Sequence, residues 1–291
     1  MQIGVSSYSY LRLISAGQMS VEDVPAKAKE MGFDVVEFTA FKPPAGQTPL
    51  AYADRLRERA EAAGMPVVNY AVGADFLTGS HGDLQAEIER VKAEVDVARK
   101  LGATRMRHDA TGGYPADHPG PKSFDAALPR LAAGCRAVTA YAADHGITTM
   151  VENHGLFCQD SDRVEKLACE VAHPNFGLLV DVGNFICVDE DPGRALGRVL
   201  PYARHVHFKD FHLKPGNLAS PGEGWRLSRG GNHWRGAIIG HGDVPVGLCA
   251  RLLQQAGYDG VVSIEFEGME DPITGIRIGR DNLCRLFGRA N

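Results

Sequence analysis

Residues 143–152 read ADHGITTMVE. A helical pattern runs out, a glycine supplies the left-handed turn that ends it, and a short apolar run follows that closes on the acid Glu152. The same joint recurs at 29–38 (KEMGFDVVEF), 61–70 (EAAGMPVVNY), 99–108 (RKLGATRMRH) and 254–263 (QQAGYDGVVS). Recurrent helix–Gly–strand joints mean that strands and helices alternate, which favours a parallel sheet with crossover helices over a β-sandwich.

Extending the pattern outward predicts eight strands, near 2–8, 34–39, 66–72, 103–108, 147–152, 176–182, 204–209 and 260–266. Helical stretches lie between them, for example Val21–Met31, Tyr52–Ala63, Leu84–Leu101, Phe124–His145 and Val246–Ala256. The expected class is α/β, a (β/α)8 TIM barrel in a single domain over residues 1–291, a length ordinary for that architecture. The one long irregular segment, residues 211–244, falls between strands seven and eight and would overhang the barrel end that carries the strand C-termini. Its Trp225, Arg226, His233, Trp234 and Arg235 are expected either to cap a polar substrate or to form a subunit contact, so that a homo-oligomer stays open.

Composition narrows the function. The chain is 44% hydrophobic and 23% charged, enough to bury a large core. A net charge of −5 argues against a nucleic-acid binder whose affinity comes from neutralising phosphates. No run of 18 apolar residues suggests a membrane span, and MQIGVSSYSY enters a strand without the features of a signal peptide; a cytoplasmic location is the expectation. The six cysteines form no CxxC pair and read as ordinary reduced residues.

Four strand-like runs end on a side chain able to bind metal: Glu152 in ITTMVEN, Asp181 in FGLLVDV, His207 in ARHVHF and Glu265 in GVVSIEF. Singly, each reads as readily as a helix cap or a salt-bridge partner. Together they come from consecutive strands five to eight to one mouth, where charge is costly to bury unless it pairs or binds a cation. Three carboxylates and an imidazole, with no thiolate, suit one divalent ion: Mn²⁺ foremost, or Mg²⁺, Co²⁺ or Zn²⁺. Such an ion polarises a carbonyl and acidifies the neighbouring C–H, giving access to an enediolate. Glu152 and Glu265, three strands apart around the ring, would then remove and return the proton.

The segments VENHG, LLVDVGNF, HVHFKDF, IGHGDVP and YDGVVSIEFEG resemble the xylose isomerase-like TIM barrels, the sugar phosphate isomerase/epimerase superfamily. The resemblance implies that Glu152, Asp181, His207 and Glu265 bind the metal, that Glu152 and Glu265 double as acid and base, and that His207 rather than His205 is the ligand. His205 is expected to pack one layer deeper. Lys209 would meet a substrate oxygen and Asp210 would orient the metal ligands, unless the two simply pair with each other. His154, two residues beyond Glu152, is the foremost substrate-facing histidine, with a supporting hydrogen-bonded role as the alternative. His108, Glu37, Asn69 and Tyr8 are expected to line the pocket by position, or else to serve as core or cap residues.

Departures from subfamily patterns bear on the substrate. Cys158, Asn184 and Leu213 stand where ketohexose 3-epimerases carry a glutamate, a histidine and an arginine, so free-ketohexose epimerisation would need substitutes from the long segment. Asn184 takes the place of that histidine at the substrate side, and Trp225, Arg226 and His233 are the substitutes expected. Asn184 and the lack of an Asp-x-His pair after His207 also disfavour an endonuclease IV-like nuclease. The expected function is isomerisation or epimerisation of a sugar-like polyhydroxy carbonyl compound. The alternative is a lyase acting on a keto-sugar, inosose or 3-keto-glycoside, including C-glycosides, with His154 or His233 protonating the leaving group. A non-catalytic sugar-binding subunit is the reading from outside enzymology.

Overall fold

A computed structural model describes residues 1–289; the final two residues of the expected domain lie outside the described residues. Eight parallel strands close into a barrel: β1 (Gln2–Ser6), β2 (Val35–Thr39), β3 (Val67–Val72), β4 (Arg105–His108), β5 (Thr148–Glu152), β6 (Phe176–Asp181), β7 (Ala203–Phe208) and β11 (Val261–Ile264). They follow one another around the ring in chain order, and β11 pairs with both β7 and β1 to complete it. Helices α2 (Val24–Glu30), α3 (Pro49–Ala62), α4 (Leu84–Lys100), α5 (Phe124–Asp144), α6 (Ser161–Val171), α7 (Pro192–Val199), α8 (Val246–Gln255) and α9 (Pro272–Leu286) lie between and after the strands, and a short α1 (Leu11–Ser15) follows β1. The chain is therefore a (β/α)8 barrel.

The five joint glycines, Gly32, Gly64, Gly102, Gly146 and Gly257, all have positive φ. Each ends its helix in the backbone region that glycine enters without a Cβ penalty, which is why the motif marks the helix-to-strand turn. The main core lies between barrel and helices, where Leu56, Leu131, Leu167, Leu196, Leu253 and Leu283, each from a different helix, are fully buried. Burial of a leucine contributes about 1.5–3 kcal/mol, so this ring of contacts is the main force holding the helices on the sheet.

Inside the barrel the packing is partly polar. Glu37, Asn69, Arg107, His205 and Ser263 are buried there, and alternation along each strand puts them on the same face as the strand-end acids.

The segment 211–244 is not simply a loop. It holds a three-stranded antiparallel sheet of β8 (Asp210–Lys214), β10 (His233–Ala237) and β9 (Arg226–Leu227), in that order. Its strands, of five, two and five residues in chain order, are too short to show alternation in the sequence, and Gly and Pro crowd the turns between them. The sheet is anchored by Asp210, whose carboxylate accepts hydrogen bonds from the backbone N–H groups of Phe211, Gly240, Gly242 and Val244. All six cysteines are free, and Cys169 alone among them is exposed.

Candidate metal centre and active site

Glu152 ends β5, Asp181 ends β6, His207 is the penultimate residue of β7, and Glu265 follows β11 directly. One ligand atom from each lies within 4.8 Å of all the others. Asp181 owes its place to local backbone: Gly183 and Asn184 donate N–H groups to Oδ1 at 2.8 and 3.1 Å. Gly183 allows this turn because a Cβ there would sit 2.6 Å from the Lys209 carbonyl oxygen. The Asn153 side chain bonds both backbone groups of Asp181, tying the ends of β5 and β6 together.

Each acid is also held from the side. Glu152 accepts from Arg107 Nε at 2.6 Å and from Asn184 Nδ2 at 2.9 Å. Arg107 in turn donates to the Val72 carbonyl oxygen and pairs with Asp109 at 2.9 Å. Below the four lies a second cluster: Glu37 bonds His205 Nε2 at 2.7 Å, His207 Nε2 at 3.1 Å and Asn69 Nδ2 at 2.7 Å. With Nε2 engaged by Glu37, His207 is left with Nδ1 facing the acids, 3.8 Å from Glu265 Oε1. A carboxylate behind a ligating imidazole is the usual arrangement that fixes its tautomer.

The residues fit a divalent cation. Asp181 Oδ2 and His207 Nδ1 are buried and accept or donate no hydrogen bond, the state expected of atoms whose partner is a metal. Burial, with Glu152 and Glu265 nearby, pushes the Asp181 carboxyl up to about 6 despite Lys209. A cation among these oxygens reverses that cost. Burial also works against the charged form of Glu265, but Lys209 and His207 outweigh it and hold this carboxyl down at about 2. For His207 burial favours the neutral ring, yet Glu37 and then Glu265 raise it to about 9.

Lys209 is buried against the same acids, 2.6 Å from Glu265 Oε2 and 3.4 Å from Asp181 Oδ2, with Asn184 Oδ1 at 3.5 Å. It does not pair with Asp210, whose carboxylate turns away to hold the excursion sheet. His154 stands half-exposed on the cavity wall, its Nδ1 3.1 Å from Asp109 Oδ1. Burial alone would lower this imidazole, but the Asp109 hydrogen bond and the Glu152 charge raise it.

The cavity above the centre measures about 580 Å³, within the range of small-molecule sites. Glu152, Glu265, Lys209, Asn184, His154, Arg226 and Tyr8 line it. Five residues expected there are placed elsewhere. His108 is fully buried behind the strand, edge-on to Phe76, because the inward position on β4 belongs to Arg107. Trp225 stacks between Lys214 and Arg235, and His233 sits opposite Lys214 and Leu227 in the excursion sheet; Trp234 reaches the cavity instead. Glu37 and Asn69 lie beneath the floor. Arg107, Asp109 and Glu267, the last on the cavity wall 3.8 Å from Lys209 Nζ, were not among the expected site residues; for Arg107 the available signal was the two arginines alternating in RMR.

The chain matches the model of the xylose isomerase-like TIM barrel family over residues 25–286, and it belongs to that family. The xylose isomerase domain protein from Planctomyces limnophilus is similar in structure, with a TM-score of 0.68 and 23% identity over 90% of each chain. An L-ribulose 3-epimerase superposes with a TM-score of 0.74 at 17% identity, covering 99% of this chain and 94% of that one. Among curated proteins, inosose dehydratase from Clostridium botulinum is 27% identical over 145 residues. That match spans 49% of this chain and 47% of the relative, about half the length of each. Among the described residues no helix is long and apolar enough to cross a membrane.

Proposed function

We propose that the chain is a divalent-metal-dependent isomerase or epimerase of a sugar-like polyhydroxy carbonyl compound, with Mn²⁺ as the foremost ion. The observation that carries this reading is the convergence of Glu152 and Glu265, from strands three apart, on one cation-sized cluster under a cavity. A divalent ion held by Glu152, Asp181, His207 and Glu265 would polarise the substrate carbonyl and make the adjacent C–H acidic. One glutamate takes that proton and the other returns it at the neighbouring carbon or on the opposite face. Arg107 and Asn184 hold Glu152 in place by both its oxygens, and Lys209 holds Glu265, so neither carboxylate has to be oriented during the reaction. Lys209 also offers a proton donor to an oxygen on which charge develops.

A lyase is the second reading, and His154 favours it. Asp109 engages its Nδ1, which leaves Nε2 free to protonate a departing hydroxyl or aglycone. The likeness to inosose dehydratases supports the same choice. Both readings share the first step, so one experiment tests them together: exchange of substrate C–H for deuterium in D₂O over ketoses, inososes and 3-keto-glycosides. Glu152→Gln and Glu265→Gln are each expected to lower the exchange rate by roughly 10²–10⁴-fold. Exchange that survives both changes contradicts the proposal. Loss of water or aglycone alongside exchange selects the lyase.

A further inference from the structure

Three leucines stand exposed at the cavity wall, each from a different part of the chain: Leu11 at 45%, Leu156 at 43% and Leu227 at 59%. Tyr8 and Trp234 line the same cavity. Single exposed leucines are ordinary, but a convergent apolar rim over a charged floor is not. The floor is Glu152, Glu265, Lys209 and Arg107; the rim has a different chemistry altogether.

Leu156 shows that the rim is built. Its φ is +65°, left-handed backbone that costs a non-glycine residue of the order of 1 kcal/mol or more. That conformation is fixed from both sides, by Gln159 Oε1 accepting its N–H at 2.6 Å and by Arg229 donating to its carbonyl oxygen at 3.3 Å. Arg229 is itself anchored on Asp160. The chain thus holds a leucine where glycine would sit without strain, with its side chain on the cavity. Arg226, stacked on Trp234 at 5.3 Å and without a carboxylate partner among the described residues, adds a flat cationic surface beside it.

We propose that the substrate is bipartite: a polyhydroxy carbonyl end over the acids, and an apolar, ring-sized group held against Leu11, Leu156, Leu227 and Trp234. A glycoside with an aromatic or similarly apolar aglycone has this form. The cavity is larger than one monosaccharide ring fills, and its apolar wall is continuous with the catalytic floor rather than a separate face. The placement of the sugar end rests on the function proposed above, whereas the apolar subsite is read by binding and needs no turnover.

The test is calorimetric titration of the Mn²⁺-loaded chain with methyl and phenyl β-D-glucopyranosides. The phenyl compound is expected to bind at least about tenfold more tightly, the scale of burying one phenyl ring. Leu156→Gly, which relieves the backbone strain, and Leu227→Ser are each expected to bring the ratio of the two affinities towards one. A phenyl glycoside that binds no better than its methyl partner overturns the proposal. So does a ratio unchanged by both substitutions, and so do substitutions that convert an oligomer to a monomer in sedimentation while the ratio stays put, since the leucines would then be a subunit contact. Deuterium exchange, read separately, decides the catalytic reading whichever way the titration falls.

Discussion

Glu37 is the residue on which the geometry of His207 depends. It is buried, it holds both barrel histidines and Asn69, and it leaves His207 Nδ1 towards the acids. Loss of such a supporting carboxylate commonly weakens metal binding 10–100-fold; Glu37→Gln is expected to do the same for Mn²⁺, measured by calorimetry. His108 gives a pH dependence at the same scale. Burial lowers its pKa from 6.5 to about 4. The unfolded chain therefore binds this proton more readily than the folded one, so its contribution is intact above pH 6.5 and is lost as pH falls towards 4. The loss amounts to about 3 kcal/mol by 1.36 kcal/mol per unit. Urea midpoints at pH 7 and pH 5 should differ less in His108→Asn than in the parent chain. The metal-binding candidates were legible because each closes an apolar run. Which face of β4 points inward was not: one position along a strand separates a cavity-facing Arg107 from an outward His108, and a strand this short gives the alternation no length in which to declare itself.

At the scale of elements, the excursion of β8, β9 and β10 is bolted to the barrel by two carboxylates. Asp210 takes four backbone N–H groups, while Asp189 takes Ser228, Gly230 and Asn232. Asp210→Ala leaves the buried N–H groups of Phe211 and Val244 unpaired, along with the partly exposed ones of Gly240 and Gly242, and is expected to cost about 2–3 kcal/mol, read from denaturant midpoints. It should also open residues 211–244 to proteolysis before the barrel unfolds. The five glycine joints and all eight barrel strands could be read from periodicity, with ends shifted by a few residues. The excursion sheet could not, because its strands are short and are joined by turns that carry no fixed signature, His233 pairing both with Lys214 across a long connection and with Leu227 across a short one.

For the whole molecule, the barrel carries three carboxylates and an imidazole at one end of a polar interior, an arrangement that favours a bound cation over an empty cluster. Binding to the folded state alone stabilises by about 4 kcal/mol at a thousandfold excess over Kd. Saturating Mn²⁺ is expected to raise the Tm, and EDTA to return it, with the shift much smaller in Asp181→Ala. The fold was legible because it depends on repeated local signals; the cavity rim was not, because residues such as Leu156 and Leu227 carry no pattern of their own.

The four strand-end residues as a single metal centre are tested most directly by titrating the chelator-stripped chain with Mn²⁺. One ion per chain is expected, with binding weakened at least about a hundredfold in Asp181→Ala and in His207→Ala. Absence of binding in the parent chain, or binding that both variants retain, contradicts the metal centre and with it the proposed chemistry.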